Sequence, residues 1–412
     1  MEKSSGKTVQ LKRSIGLPGL VLYGLGVTIG AGIYVLVGET IVRAGPYAPA
    51  AFLLSAIVMG FTAASFAELS GRVPQAAGEA VYVERSFGLP WLTILVGLAV
   101  LVEAMVAASA IAVGSAGYIG ELINLPKEVL VASIVLLMAT IAAWGIRESV
   151  AIAGAMTLVE VIGLLVIIVF GFMNDPGSIS ALTPALLPPV SDGAALSGVL
   201  AASMITFFAF IGFDDVVNLV EEAKNPSKVM PWAIGITLFV VTVLYILVSF
   251  VATQNVSAED FKATSAPISL LFESLTGLPP LAITLIAIVA TMNGVVIILI
   301  MASRVAYGMA QEGRLPAWIG VVSPRTQTPL RATILVAAAV LIMATMIPLE
   351  TLVETSSEVL LAIFVIINLA LVWIKFRHVP APPGTFIVPI LFPIVGALLC
   401  LGLLIGASLI GH

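Results

Sequence analysis

The sequence is poor in charge. Only 10% of its 412 residues are Asp, Glu, Lys or Arg, whereas charged residues make up about 25% of an ordinary soluble domain. Hydrophobic residues account for 60%, so the chain lacks the polar side chains that would cover a soluble surface. The composition therefore excludes a large soluble domain, carries no nucleic-acid footprint, and indicates an all-α protein that crosses the membrane several times.

Cysteine and histidine are equally scarce. The single Cys400 cannot form a disulfide within the chain, and we interpret it as a packing residue of the last apolar stretch. The two histidines, His378 and His412, lie outside the apolar stretches. Since neither a His-Glu-x-x-His nor a Gly-x-Ser-x-Gly motif occurs, we expect no enzyme, no bound metal and no cofactor.

Long apolar stretches recur from Pro18 to the C-terminus, many of them near the roughly 20 residues that a helix needs to cross a bilayer. No cleavage site follows the first stretch, so we interpret it as a permanent helix rather than a signal peptide. The pattern predicts about eleven transmembrane helices, near residues 18–39, 47–69, 90–119, 128–145, 151–173, 196–221, 231–253, 281–309, 330–348, 354–374 and 386–409.

Lys and Arg are distributed unevenly over the loops that this topology defines. If the N-terminus is cytoplasmic, all but three of the 18 basic residues fall on the cytoplasmic side, the exceptions being Arg43, Lys127 and Lys262. The positive-inside rule therefore favours a cytoplasmic N-terminus. An odd number of helices then places the C-terminus outside, and we expect a multi-pass protein of the plasma membrane.

The segment 174–195 is rich in Pro and Ser, free of Lys and Arg, and forms the longest external connection. It separates five helices in residues 18–173 from five in residues 196–374, and the second set starts in the opposite orientation, as an inverted repeat requires. A cytoplasmic N-terminal segment (1–17) precedes the two halves. A cytoplasmic loop and an eleventh helix (375–412) follow them.

Four glycines interrupt the first helix, at positions 24, 26, 30 and 32, where each costs about 1 kcal/mol relative to Ala. They predict a break over Thr28–Gly32. Unwound backbone at mid-bilayer must face protein, water or ligand, and its free N–H and C=O groups suit the carboxylate and ammonium of an amino acid. The alternative is close helix packing through the Gly26-x-x-x-Gly30 motif.

A second interruption favours the break. In the corresponding helix of the second half, the segment Phe207–Asp215 combines a glycine with two acidic residues. Interrupted helices at matching positions of two halves are the best sequence indicator of a transporter binding site.

Four stretches resemble the amino acid-polyamine-organocation (APC) family of secondary transporters, and the resemblance covers nearly the whole chain. It implies a LeuT-type fold, a 5+5 inverted repeat with discontinuous helices 1 and 6. The stretches are GLGVTIGAGIYVLVG (24–38), AELSGRVPQAAGEAVYVERSFG (67–88), FFAFIGFDDVVNLVEEAKNPSKVMP (207–231) and SRVAYGMAQEGRLP (303–316).

The resemblance also implies a substrate site made by helices 1 and 6. Carbonyl groups would receive the substrate ammonium and amide groups its carboxylate. Phe208 would be an aromatic gate, unless it is an ordinary core aromatic, and Asp214 would line the inward path. The implied substrate-binding residues are Thr28, Ile29, Gly30, Ala31, Gly32, Phe208 and Ile211, with the carbonyls of Thr28, Phe208 and Ile211 and the amides of Ala31 and Gly32 as the contacts.

The sequence departs from the family pattern in three places. Ala31 stands where many members have Ser or Thr, so carboxylate recognition would rest on the backbone alone. The tenth helix reads Ser356-Ser357-Glu358 in place of the usual Gly-Thr-Leu turn, and the usual twelfth helix is missing.

Two carboxylates, Glu103 and Glu160, lie within apolar spans, where an ionised group costs several kcal/mol unless it is neutralised or paired. Both are candidate residues for proton coupling, with a structural role as the alternative for Glu103. Glu160 matches a position where many proton-coupled or ion-independent members carry Lys. It could carry the coupling proton, ligate a cation such as Na⁺, attract a cationic substrate, or make a structural hydrogen bond. Because the segment 292–301 offers few hydroxyl groups for sodium, the proton is favoured.

These features together predict a secondary transporter of small neutral amino acids that works by alternating access, with H⁺ as the coupling ion. An exchanger or a Na⁺-coupled transporter of amino acids or amines is the alternative, ahead of a receptor or a channel. The expected partners are the lipid bilayer and a small-molecule substrate. The oligomeric state is left open.

Overall fold

The chain is built almost entirely of helices. The computed structural model describes residues 15–73, 78–144, 149–220, 223–323, 326 and 328–410. No β-strand occurs in these residues, where one isolated bridge pairs Ile15 with Ala223. The α-helices are α1 (Leu17–Ala44), α2 (Ala48–Arg72), α3 (Gly78–Phe87), α4 (Pro90–Gly120), α5 (Lys127–Trp144), α6 (Ser149–Asn174), α7 (Leu182–Leu186), α8 (Gly193–Ala209), α9 (Pro226–Asn255), α10 (Ala258–Ala263), α11 (Pro267–Thr276), α12 (Leu281–Gln311), α13 (Leu330–Met346), α14 (Leu349–Phe376) and α15 (Leu391–Ile410).

A helix lies over each of the eleven predicted apolar stretches. Seven helical segments are long and apolar enough to cross a membrane by length and composition, and three shorter apolar helices accompany them. The architecture is therefore that of an all-α, multi-pass membrane protein. The number of eleven crossings and the positions of the two termini relative to the membrane stay predictions.

The segment 174–195, predicted as a loop, is partly helical. It contains a 3₁₀ helix (Pro176–Ala181) and α7, and α8 already begins at Gly193. Asp192 accounts for the early start, because its side chain accepts the N–H of Ala195 at 3.0 Å and caps the helix.

Three other helix starts differ by five residues from the sequence prediction. Helix α9 begins at Pro226 rather than at 231. Helix α14 begins at Leu349, five residues before the predicted 354, directly after Pro348. Helix α15 begins at Leu391 rather than at 386, so the apolar residues 386–390 belong to an irregular connection. Apolar character alone did not locate these ends.

Helix α1 lies at the centre of the packing. It contacts α6, α8, α9 and α12, while α2 packs on α9 and α4 packs on α12. Thr28, Ile29 and Ile33 in the middle of α1 are at most 3% exposed. The middle of α1 is therefore enclosed by protein, which is the condition under which irregular backbone is tolerated at membrane depth.

A buried carboxylate at the end of α2 joins three parts of the chain. Glu68 is fully buried. Its Oε1 accepts hydrogen bonds from Arg72 Nε and Lys375 Nζ, both at 2.8 Å, and its Oε2 accepts the N–H of Val388 at 2.8 Å. Glu68 therefore fixes the end of α14 and the connection before α15 to α2.

Replacing Glu68 by Gln should lower the free energy of unfolding by about 3 kcal/mol or more, because the Lys375 and Arg72 cations would be left without a buried counter-charge. Denaturation of the purified protein in detergent measures this change.

The matched control is Glu84→Gln on α3. Glu84 pairs with Arg314 but its side chain is 50% exposed, so the loss should stay below about 1 kcal/mol. Equal effects of the two substitutions would contradict the role given to Glu68.

Candidate functional site

The first helix is interrupted at Gly30. Its backbone angles there, φ −12° and ψ −118°, are not helical, although helix continues on both sides. The interruption is therefore one non-helical residue, Gly30, at the centre of the predicted break, whereas Thr28, Ile29, Ala31 and Gly32 remain helical. The Thr28 hydroxyl donates to the carbonyl of Gly24 at 2.8 Å and so belongs to the half-helix that precedes the break.

The second interruption follows α8. After Ala209 the chain turns, and a 3₁₀ helix (Asp214–Leu219) continues from the turn. The N–H of Ile211 donates to the carbonyl of Phe208 at 3.0 Å. The N–H of Phe210 also donates to this carbonyl, so this predicted ammonium acceptor is already engaged within the turn.

Gly212 makes the turn after α8 possible. Its φ is +115°, a conformation that side-chain-bearing residues rarely adopt, and a Cβ there would lie 2.6 Å from Val27 Cγ1 of α1. Asp214 stabilises the turn by accepting the N–H of Gly212 at 3.1 Å. The predicted gate residue Asp214 therefore has a clear structural role here.

The two interruptions are held together by Tyr245 of α9. Its hydroxyl oxygen lies 2.7 Å from the carbonyl oxygen of Thr28 and 3.0 Å from that of Ala209. The hydroxyl carries one proton, so it donates to one carbonyl at a time. Sequence reasoning missed Tyr245, although a tyrosine inside an apolar span signals a buried polar partner.

Gly32 allows α1 and α8 to approach closely. A Cβ at this position would lie 2.6 Å from the carbonyl oxygen and 2.8 Å from the Cα of Ala209. The main chains of α1 and α8, which carry the two interruptions, therefore lie close together at Gly32 and Ala209.

Two cavities lie on successive stretches of α4 and α14. The larger, of about 830 Å³, is lined among others by Val35, Gly114 and Ile205. The smaller, of about 30 Å³, is lined among others by Glu103 and Asp214. The stretches of α4 that line them are separated by residues 104–112, roughly 13 Å of helix. Ile205 lines the large cavity and Asp214 lines the small one, so the break after α8 falls between the two cavities along the chain. Phe208, which is 5% exposed, lies in the same stretch.

Glu160 of α6 is fully buried beside the first half of α1. Its Oε1 accepts from Asn293 Nδ2 at 3.3 Å, and its backbone carbonyl accepts from the Tyr34 hydroxyl at 2.7 Å. Within the described part of the chain, Oε2 has no hydrogen-bond partner. A Cβ on Gly26 would lie 3.6 Å from Asn293 Nδ2, so this polar pair faces the helix that carries the break.

Glu103 of α4 lies in a different place. It is 5% exposed, and its Oε1 accepts from the Ser356 hydroxyl at 2.7 Å. It lines the small cavity with Asp214, and Glu160 does not. The structure thus brings Glu103 together with the predicted gate residue rather than with the other candidate coupling residue.

The small cavity holds two further acidic residues that were not predicted as site residues, Glu79 and Asp215. No group of three or more metal-ligating side chains with suitable geometry occurs among the residues that the structure describes. The site is therefore made of interrupted backbone and isolated or clustered carboxylates.

Interrupted helices that meet inside an all-α membrane protein, between two cavities, define a membrane transport protein. An amino acid permease family model matches residues 15–410, and the chain belongs to this family. The resemblance to APC transporters is thereby confirmed. The protein is a transporter of amino acids or related small molecules and not an enzyme.

Curated relatives match over most of the chain. A branched-chain amino acid permease of Bacillus subtilis is 29% identical over 92% of this chain and 85% of its own length. A methylthioribose transporter of the same species is 29% identical over 97% and 89%. A vacuolar cationic amino acid transporter of Arabidopsis thaliana is 32% identical over 91% of this chain, which covers 65% of that relative.

Replacing Gly32 by Ala should force α1 and α8 apart, because the new methyl group would overlap the Ala209 backbone. Overpacking of this kind costs about 1–3 kcal/mol of the free energy of unfolding, which denaturation in detergent measures. Gly308→Ala in α12 is the control, since nothing lies within 4 Å of a Cβ there. A Gly32→Ala protein as stable as the control would contradict the close contact.

Proposed function

We propose that the protein is a proton-coupled symporter of small neutral amino acids that works by alternating access. The observation that carries this proposal is the arrangement of two cavities, one large and one small, on either side of the joined breaks. In the predicted orientation the large cavity opens to the outside, because two of the three basic residues assigned to that side, Lys127 and Lys262, line it.

The asymmetry of the cavities supports alternating access. A cavity of about 830 Å³ falls within the range of about 300–1,000 Å³ that is typical of small-molecule sites. The cavity on the other side, at about 30 Å³, is too small for an amino acid. Opening the small cavity and closing the large one requires α1 and α8 to move relative to α4 and α12.

The packing supports the LeuT-type arrangement of two five-helix halves. Helices at corresponding positions of the predicted halves pack on each other, namely α1 on α8, α2 on α9 and α4 on α12. In this arrangement the substrate binds at the breaks, with its carboxylate on the amides of Ala31 and Gly32. Its ammonium lies against the carbonyls of Thr28, Phe208 and Ile211.

Glu160 is the coupling residue in this proposal. An ionised carboxylate buried among helices and held by one amide N–H is costly, and a proton removes that cost. Because Asn293 donates to Oε1, Oε2 is left to take the proton. Sodium is disfavoured because the segment 292–301 of α12, which carries Asn293, contains no hydroxyl side chain to serve as a ligand.

A second candidate is transport of cationic amino acids. Four acidic residues line the small cavity, and they would attract a positively charged side chain. The relative from Arabidopsis thaliana described above bears the name of a cationic amino acid transporter.

Uptake by proteoliposomes tests both candidates. Radiolabelled alanine, leucine and arginine are supplied with an imposed pH gradient, acidic outside, or with a Na⁺ gradient. We expect alanine to accumulate in response to the pH gradient. Drive by Na⁺ without a pH response would end the proton proposal, and accumulation of arginine in place of alanine would favour the second candidate.

Replacing Glu160 by Gln should reduce accumulation driven by the pH gradient at least tenfold, because the amide cannot take up and release a proton. Exchange of internal for external alanine should stay within twofold, since the substrate site is untouched. Glu128→Gln, at the exposed start of α5, serves as the control. Unchanged accumulation in the Glu160 variant would remove its assigned role.

A further inference from the structure

The small cavity is lined by an unusual number of acids. Glu79 comes from α3, Glu103 from α4, and Asp214 and Asp215 from the turn after α8, and each is at most 7% exposed. Within the described part of the chain none of the four forms an ion pair. The remaining lining residues are apolar, namely Ala80, Gly97, Val100, Met301, Val305 and Leu360.

Among the four acids of the small cavity, Asp215 is the one whose burial the fold does not explain. Glu103 accepts a hydrogen bond from Ser356, and Asp214 accepts one from the Gly212 N–H. The side chain of Asp215 has no described hydrogen-bond donor, although it is 7% exposed and lines the cavity. A carboxylate buried without a donor requires a ligand or a proton.

The size of the cavity decides which cation fits. About 30 Å³ holds one or two water molecules, since one water needs about 10–15 Å³ measured in this way. Four ionised carboxylates around such a space would repel one another strongly at the low dielectric of the interior. Because the described side chains do not form a metal-binding group, protons are the cations that relieve this repulsion.

Glu79 differs from the other three acids of the small cavity in the kind of helix that carries it. Helix α3 buries one face, which includes Glu79 and Tyr82, and exposes the opposite face at Glu84 and Arg85. The groups that face Glu79 are Tyr82 on its own helix, Glu103 on α4, and Asp214 and Asp215, whereas α12 and α14 contribute only apolar residues to the cavity. Glu79 is therefore the acid of the cavity that a surface helix carries.

We propose that Glu79 is the cytoplasmic end of the route by which the coupling proton leaves the protein. Glu160 does not line the small cavity, so the cavity acids form only the last part of the route. There the proton passes from Glu103 through cavity water and the Asp214 and Asp215 carboxylates to Glu79, and then to bulk water. In each step one O–H bond breaks and another forms, without oxidation or reduction. The proposal rests on the proton coupling put forward above and adds an exit that the substrate site does not contain.

The test uses proteoliposomes that contain the full-length protein and the pH dye pyranine. Three quantities are measured with alanine as substrate: accumulation driven by an imposed pH gradient, proton uptake on addition of alanine, and alanine exchange without a gradient. The variants are Glu79→Gln and Asp215→Asn, with Glu79→Asp as the conservative variant. Glu84→Gln on the exposed face of the same helix is the control.

We expect Glu79→Gln and Asp215→Asn to lose at least tenfold in accumulation and in the proton signal, while exchange stays within twofold. Glu79→Asp should recover part of both. Unchanged accumulation in Glu79→Gln and Asp215→Asn would overturn the proposal. So would an equal loss of accumulation and exchange, because it would mean that the acids only support packing.

The wild-type protein separates this inference from the proposed function. If wild-type protein shows no proton uptake with alanine, the proton coupling itself is wrong and the exit route falls with it. If wild-type protein takes up protons but both variants do so equally well, only the exit route is wrong.

Discussion

The structure depends on one constraint, which is that backbone polar groups inside a membrane must find partners within the protein. The chain leaves its helical path at Gly30 and again after Ala209, so these two places carry the backbone groups that are hardest to satisfy. Tyr245 serves either place, since its hydroxyl lies within hydrogen-bond distance of the carbonyls of Thr28 and Ala209 and donates to one of them at a time. The surrounding helices keep lipid away from this junction.

The same constraint explains where small residues occur. Gly32 and Gly212 are the points at which the backbone of one interrupted helix meets the other, and a side chain at either would overlap its neighbour. A site made in this way presents main-chain groups whose positions are fixed by packing. In the substrate site that we propose, such groups take the place of the side-chain hydroxyl that Ala31 lacks.

Much of this could be read from the sequence. The length and spacing of the apolar stretches predicted the helices, and glycines in an apolar span predicted the break at Gly30. Glu103 and Glu160 stood out because ionisable residues are rare in such spans. The sequence did not predict the hydrogen bonds between helices, such as those of Asn293 with Glu160 and of Ser356 with Glu103. They depend on how distant segments pack, and no local pattern records this.

Glu79 illustrates the same limit. In the sequence it is one acid among several in a polar connection, and only the packing of α3 against α4 and the turn after α8 brings it to a cavity shared with Glu103. Helix ends were missed for a related reason. Proline and aspartate, rather than the loss of apolar character, set the starts of α14 and α8.

The contacts of Glu68 with Arg72, Lys375 and Val388 bear on how the protein is assembled. The backbone N–H that Glu68 binds at Val388 lies 320 residues further along the chain, and Lys375 is nearly as distant. During synthesis α2 is therefore complete long before these donors exist, and its terminal carboxylate has only Arg72 nearby. These contacts can form only after the connection that follows α14 has been synthesised, so α2 gains them long after its own helix is made.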